Sequence, residues 1–117
     1  MQSQRGGGGL WLLQALTGLS LIVLLGLHMI AQHFLVEGGL RTYQDVLAYI
    51  ANPVVFILEV IFLLIVVPHA FLGLRAVLLD LGPSPRTTRI LDGVLIVVAA
   101  ATTIYGIALF IVLQGRV

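Results

Sequence analysis

Cysteine is absent from this chain and charge is scarce, with six Lys and Arg and five Asp and Glu among 117 residues. Without thiolates the chain can hold no disulfide, no thiolate zinc site and no iron–sulfur cluster of its own. Without charge it cannot cover a water-facing surface, because a protein this small is mostly surface. The net charge of +1 comes with no basic cluster, which excludes nucleic acid as a partner. No phosphate-cradling loop, nucleophile–base pair or group of carboxylates is visible either, so the chain is not a self-contained enzyme. What it does have is a 60% hydrophobic composition and a mean hydropathy of +1.14. Lipid is the solvent that such a surface fits.

Three stretches have the length and apolarity of membrane spans: 10–34, 53–81 and 90–114. Three isolated strands could neither close a barrel nor satisfy their backbone in lipid, so the expected class is an all-α integral membrane protein forming one domain. The first stretch is too long for a signal-peptide core and ends in no small-x-small site, so it is expected to be retained. Between the first two spans, Leu40, Tyr43, Leu47 and Ile50 recur at helical spacing, which predicts a short helix lying in the interface. The second connection, GPSPRTTR from Gly82 to Arg89, reads as a Pro-rich turn. Arg5, Arg86 and Arg89, with Arg75 nearby, outnumber Arg41 and Arg116, which predicts a cytoplasmic N-terminus and an outer C-terminus.

Ionisable residues inside a membrane are costly and mark function. His69 lies about 18 Å from the cytoplasmic end of the second span at 1.5 Å per residue. Gly73 follows one turn later, and a neutral imidazole above a glycine gap suits a porphyrin plane. A histidine hydrogen-bonded to a neighbouring helix would look the same, and the residues alone leave both readings open. His28 shares one face of the first span with Gln14, Thr17 and Gln32, a polar stripe that should meet protein rather than lipid. Counted from its own span end, His28 lies about 9 Å further out than His69, so the two are not expected to clamp one iron. His28 is therefore either a ligand of a second haem or a packing residue. His33 points away from the stripe and reads as interfacial. Glu59 is expected to be protonated or paired, with His33 or Arg41 as partner, or to exchange protons at an outer site.

The run HAFLGLRAVLLDLG, His69 to Gly82, resembles the signature of the membrane-anchor and cytochrome b subunits of succinate dehydrogenase and fumarate reductase. His69, Gly73, Leu74, Arg75 and Asp80 match in register, and Thr17-Gly18 resembles the family's Ser/Thr-Gly step in its first span. The resemblance implies a non-catalytic subunit of a respiratory complex in the inner (cytoplasmic) membrane. Such a subunit, with a second membrane-anchor subunit, attaches an iron–sulfur subunit and a flavoprotein and helps pass electrons to quinone. It implies haem b, one or two shared with the partner anchor, with His69 an axial ligand and His28 a candidate for the second. Arg75 would neutralise a propionate or line the quinone pocket, and Asp80 would face the iron–sulfur subunit. Where the larger anchor has His-Arg and an upstream Ser near the quinone, this chain has Gln14, Ala15 and Trp11. Where the smaller anchor has Tyr after the Asp, it has Leu81. The partner is thus expected to make most quinone contacts, with Trp11 offering an indole donor. The alternative is a haem-free transport or accessory subunit with a proton path through Glu59, His28 and His69.

Overall fold

Ser84 and Asn52 each stand immediately before a proline, and each pair opens a membrane-length helix. A proline at the first helical position gives up no hydrogen bond, and the preceding side chain caps a free N–H. The Asn52 side chain accepts from Val54 N–H, and the Ser84 side chain accepts from Thr87 N–H. In the computed structural model, which describes the backbone of residues 2–116 and the side chains of residues 8–116, four helices follow in order. They are α1 (Gln2–Phe34), α2 (Tyr43–Ala51), α3 (Pro53–Leu79) and α4 (Pro85–Gln114). Within them, Gly8–Phe34, Pro53–Leu79 and Pro85–Gln114 are long and apolar enough to cross a membrane. The Arg5 side chain, on which part of the expected orientation rests, lies outside the described residues.

Three boundaries differ from those read in the sequence, the smallest being that α3 ends at Leu79 rather than residue 81, with Asp80 as its C-cap. Helix α4 starts at Pro85 rather than residue 90, because Ser84 caps it and Thr88 N–H bonds back to the Ser84 carbonyl. The connection therefore shrinks to a turn around Gly82, whose φ of 69° favours glycine. Helix α1 runs back through the glycine run instead of beginning at Leu10. In water-poor surroundings an unpaired backbone costs more than the glycine penalty of about 1 kcal/mol per residue.

The spans pack antiparallel along the chain, with α1 on α3 and α3 on α4. Between α3 and α4, Phe56 meets Phe110 at 6.5 Å between ring centroids. A Cβ on Gly106 would lie 2.7 Å from Leu63, so this glycine lets the two helices approach. The expected interfacial helix is α2. It packs against α3 and α4 and buries Tyr49 and Ile50. A capping box starts it: Asp45 N–H donates to Thr42 Oγ1 at 3.1 Å, and Thr42 N–H donates to Asp45 Oδ2 at 2.9 Å.

Thr42→Ala should cost about 1 kcal/mol of helix stability, read as roughly fivefold faster amide exchange confined to α2. Backbone N–H groups of Arg41 and Thr42 hold the exposed Asp45 carboxyl below the ordinary carboxylate range. Because folding lowers this pKa, the contribution is complete above the unfolded value of about 3.9 and fades as pH falls through the folded value. Acidification through that window should therefore lower the α2 protection factors (exchange rates corrected for their intrinsic pH dependence) in the parent protein and leave those of Asp45→Ala unchanged.

Candidate functional site

The polar residues of α1 face α3, as a stripe set against protein requires. Three facing steps share one registration. Gln14 lies opposite Gly73, Thr17 and Gly18 lie opposite His69, and His28 lies opposite Glu59. Ten residues of α3 separate Glu59 from His69 and eleven of α1 separate Thr17 from His28, about 15–17 Å at 1.5 Å per residue. Counting from span ends yielded about 9 Å, because that count set residues 10 and 81 in one plane. The registration instead brings residue 10 level with about residue 76, which accounts for the difference.

At the first histidine, Thr17 is buried and its hydroxyl lies 2.8 Å from the Leu13 carbonyl and 3.0 Å from the Gln14 carbonyl. The same oxygen is 3.0 Å from His69 Nδ1. A hydroxyl has one proton, and here it points to the backbone of its own helix. With the hydroxyl proton so placed, the Nδ1–H tautomer of His69 donates to Thr17 and leaves the Nε2 lone pair free. Nε2 makes no hydrogen bond among the described residues and is not sealed from the surface.

A glycine on the facing helix lies against the His69 imidazole. A Cβ on Gly18 would lie 3.1 Å from His69 Cε1, whereas the space beside Gly73 is taken by the Gln14 amide, 3.1 Å from where a Cβ would stand. Gly73 lies one turn beyond His69 on α3, so its bare flank turns to α1 rather than lying open beside the ring. The Gln14 carbonyl oxygen is buried without a hydrogen bond, the single such side-chain atom among the described residues. A donor from outside the chain would be most favourable there.

At the second histidine, His28 Nδ1 sits 2.7 and 2.8 Å from the two carboxylate oxygens of Glu59, and Phe62 stacks on its ring at 4.6 Å. Tyr49 Oη donates to the same carboxylate. Burial, and the Glu59 carboxylate beside it, push the Tyr49 phenol above its ordinary range. Glu59 is 5% exposed, and it pairs with neither His33 nor Arg41, the partners expected for it. His33 lies exposed, edge-on to Phe34, while α2 folds Tyr49 back over the start of α3. His28 Nε2, like that of His69, has no hydrogen bond among the described residues and is not sealed off. A cavity of about 400 Å³ adjoins this cluster, lined by His28, Gln32, Tyr49, Glu59 and the Phe62 and Phe110 rings.

Arg75 is paired within the chain. Its Nε donates to Asp92 Oδ1 at 2.6 Å and its Nη2 to Oδ2 at 3.3 Å, a forked pair that lowers the cost of both charges near the end of the span. The two residues close one end of a cleft of about 360 Å³ that is otherwise apolar, between Leu10 and Leu13, Pro68 to Leu72, and Leu95 to Ala99. Asp80 caps α3 and is exposed at the α3–α4 turn. Trp11, 70% exposed, lies toward the same end of the bundle on α1. The sequence had singled out neither Thr17 nor Tyr49 as a histidine's support. Thr17 sat visibly in the polar stripe, whereas Tyr49 belonged to none of the patterns read in the sequence.

A family model described as succinate dehydrogenase/fumarate reductase transmembrane subunit matches residues 3–107. The chain belongs to this family. It is 41% identical over 76 residues to the succinate dehydrogenase hydrophobic membrane anchor subunit of Archaeoglobus fulgidus, 65% of this chain and 64% of that protein. It is 30% identical over 93 residues to the subunit of the same name from Thermoplasma acidophilum, 80% of this chain and 76% of that protein. The chain thus spans just under two thirds of the length of the Archaeoglobus relative. No solved structure matches it. A transmembrane anchor subunit of succinate dehydrogenase is the description that the fold and these relatives share.

Two glycines of the anchor's first span separate contact from mere smallness. Gly18 meets the His69 ring, while a Cβ on Gly26 would have no neighbour within 4 Å. Gly18→Leu should overpack the α1–α3 contact and cost about 1–3 kcal/mol, whereas Gly26→Leu should be near neutral. Thermal unfolding of the detergent-solubilised protein reads both.

Proposed function

We propose that this chain is the haem b-carrying membrane anchor of a succinate:quinone oxidoreductase, supplying one axial ligand to each of two haems. The observation that carries this reading is the hydrogen bonding of its two histidines. Each ring has Nδ1 within hydrogen-bond distance of a group on a neighbouring helix, and neither Nε2 has a hydrogen bond among the described residues; with Nδ1 protonated and donating, Nε2 is left free. An imidazole held in that tautomer is a ready iron ligand. The residues therefore fit the group. Bound haem b would supply one-electron transfer, and two histidines on one iron would leave no position for oxygen.

At about 15–17 Å apart, His28 and His69 cannot share an iron, so each opposing ligand falls to a partner anchor. Arg75 and Asp92 hold the end of the apolar cleft, where a quinone ring could lie with its polar edge at the ion pair. The unpartnered Gln14 carbonyl favours a donor such as a quinol hydroxyl or a partner side chain. The Arg distribution supports a cytoplasmic N-terminus. In that orientation Asp80 and Trp11 face the side where the iron–sulfur subunit and flavoprotein dock, and the membrane is the cytoplasmic one. The haem-free alternative needs a continuous proton path. Between Glu59 and His69 every residue of α3 is apolar, and between Thr17 and His28 only Ser20 is polar, bonded to its own helix.

The test is a pyridine-haemochrome to flavin ratio on the intact complex. A ratio of two is expected, falling to about one in His69→Ala and in His28→Leu, with the soluble subunits still attached. Low-spin spectra unchanged in His69→Ala would refute ligation by His69. A parent ratio of one that His28→Leu leaves alone would refute the second haem.

A further inference from the structure

The two histidines differ in what receives their Nδ1 hydrogen. For His69 it is the neutral Thr17 hydroxyl, and for His28 it is the Glu59 carboxylate. Glu59 is in turn held by Tyr49, the one residue of α2 that reaches a histidine's support. We infer that Glu59 and Tyr49 are positioning residues that set the reduction potential of a haem bound at His28, and that they act in opposite directions. The inference rests on the proposal that His28 is a ligand.

A carboxylate that accepts Nδ1–H pulls that hydrogen toward itself and makes Nε2 a stronger electron donor. Stronger donation favours ferric over ferrous iron, and so does a buried negative charge, so Glu59 lowers the potential. Tyr49 opposes it. Its O–H donates to the same carboxylate and draws off charge that would otherwise go to the imidazole. Tyr49 also joins the interfacial helix to the ligand, which ties the potential to the docking of α2 on α3. Thr17 exerts no comparable pull on His69, because its oxygen is neutral and its proton is already bonded to the backbone.

Opposite signs separate this role from a structural one. Optical redox titration of the intact complex should show the His28 haem moved to higher potential in Glu59→Gln. A tenfold change in the oxidised-to-reduced ratio at fixed potential is expected, about 59 mV for a one-electron couple. In Tyr49→Phe, which keeps the ring and loses only the O–H, the same haem should move to lower potential. The His69 haem, about 15–17 Å away along the bundle, should move less in both and serves as the internal control. Shifts of the same sign in the two variants, or none in either, would overturn the inference while leaving His28 a ligand. If Glu59→Gln does not assemble, Tyr49→Phe alone decides, since it keeps the packed ring and removes only the hydroxyl: a fall in the potential of the His28 haem is expected, and a rise or no shift overturns the inference. One haem per flavin in the parent, indifferent to His28→Leu, would overturn both the ligand and its tuning.

Discussion

Polar groups inside a membrane have no water to fall back on, and in this chain that constraint sets how α1 meets α3. An apolar pair of helices can slide or rotate against each other at small cost, since lipid is as good a partner as leucine. Thr17 with His69, and His28 with Glu59, remove that freedom. Displacing α1 by one residue would leave a buried carboxylate and a buried imidazole without partners, at a cost several times that of a lost apolar contact. Much else follows from this registration. It sets Gly18 under the His69 ring, fills the flank of Gly73 with Gln14, and places the two histidines at different depths.

The core around this interface is thin. Among the described residues six hydrophobic side chains are buried, and Val55 alone is almost wholly enclosed. They are distributed unevenly: Ala31, Tyr49, Ile50 and Val55 gather where α2 closes over the start of α3. That end holds Glu59, and the coincidence has a physical cause. A carboxylate survives in lipid only where several donors and a tight apolar shell surround it. The opposite end carries the looser Arg75–Asp92 pair, with side chains 27% and 35% exposed, at the wall of an open cleft. The packed end and the open end thus hold their charges by different means.

Much of this was legible beforehand. Three runs without room for a water-facing shell dictated three spans, and the spacing of Tyr43, Leu47 and Ile50 marked α2. The stripe of Gln14, Thr17, His28 and Gln32 identified the inward face of α1, because helical periodicity is local and the chain states it directly. What sequence could not supply was any pairing between helices. Glu59 was expected to pair with His33 or Arg41 at the connection near its end of the span, yet its partners are His28, more than a turn deeper on α1, and Tyr49 of α2. Gly73 was read with His69 because it follows on the same helix, while Gly18, which lies against the imidazole, comes from the facing helix. In each case the contact crosses the bundle, and the periodicity of a single helix does not state it.

The free Nε2 atoms bear on why such a chain does not work alone. Each histidine satisfies its Nδ1 inside the chain, so the α1–α3 pair can form without iron and without a partner. Each leaves Nε2 without a hydrogen bond among the described residues. On the proposed reading, every coordination bond made by the chain is therefore half of a bridge to another subunit. Haem would then hold two anchors together, while the fold of this one rests on hydrogen bonds that precede it. On the same reading the orienting groups, Thr17 and Glu59, lie within the chain while the opposing ligands would come from the partner.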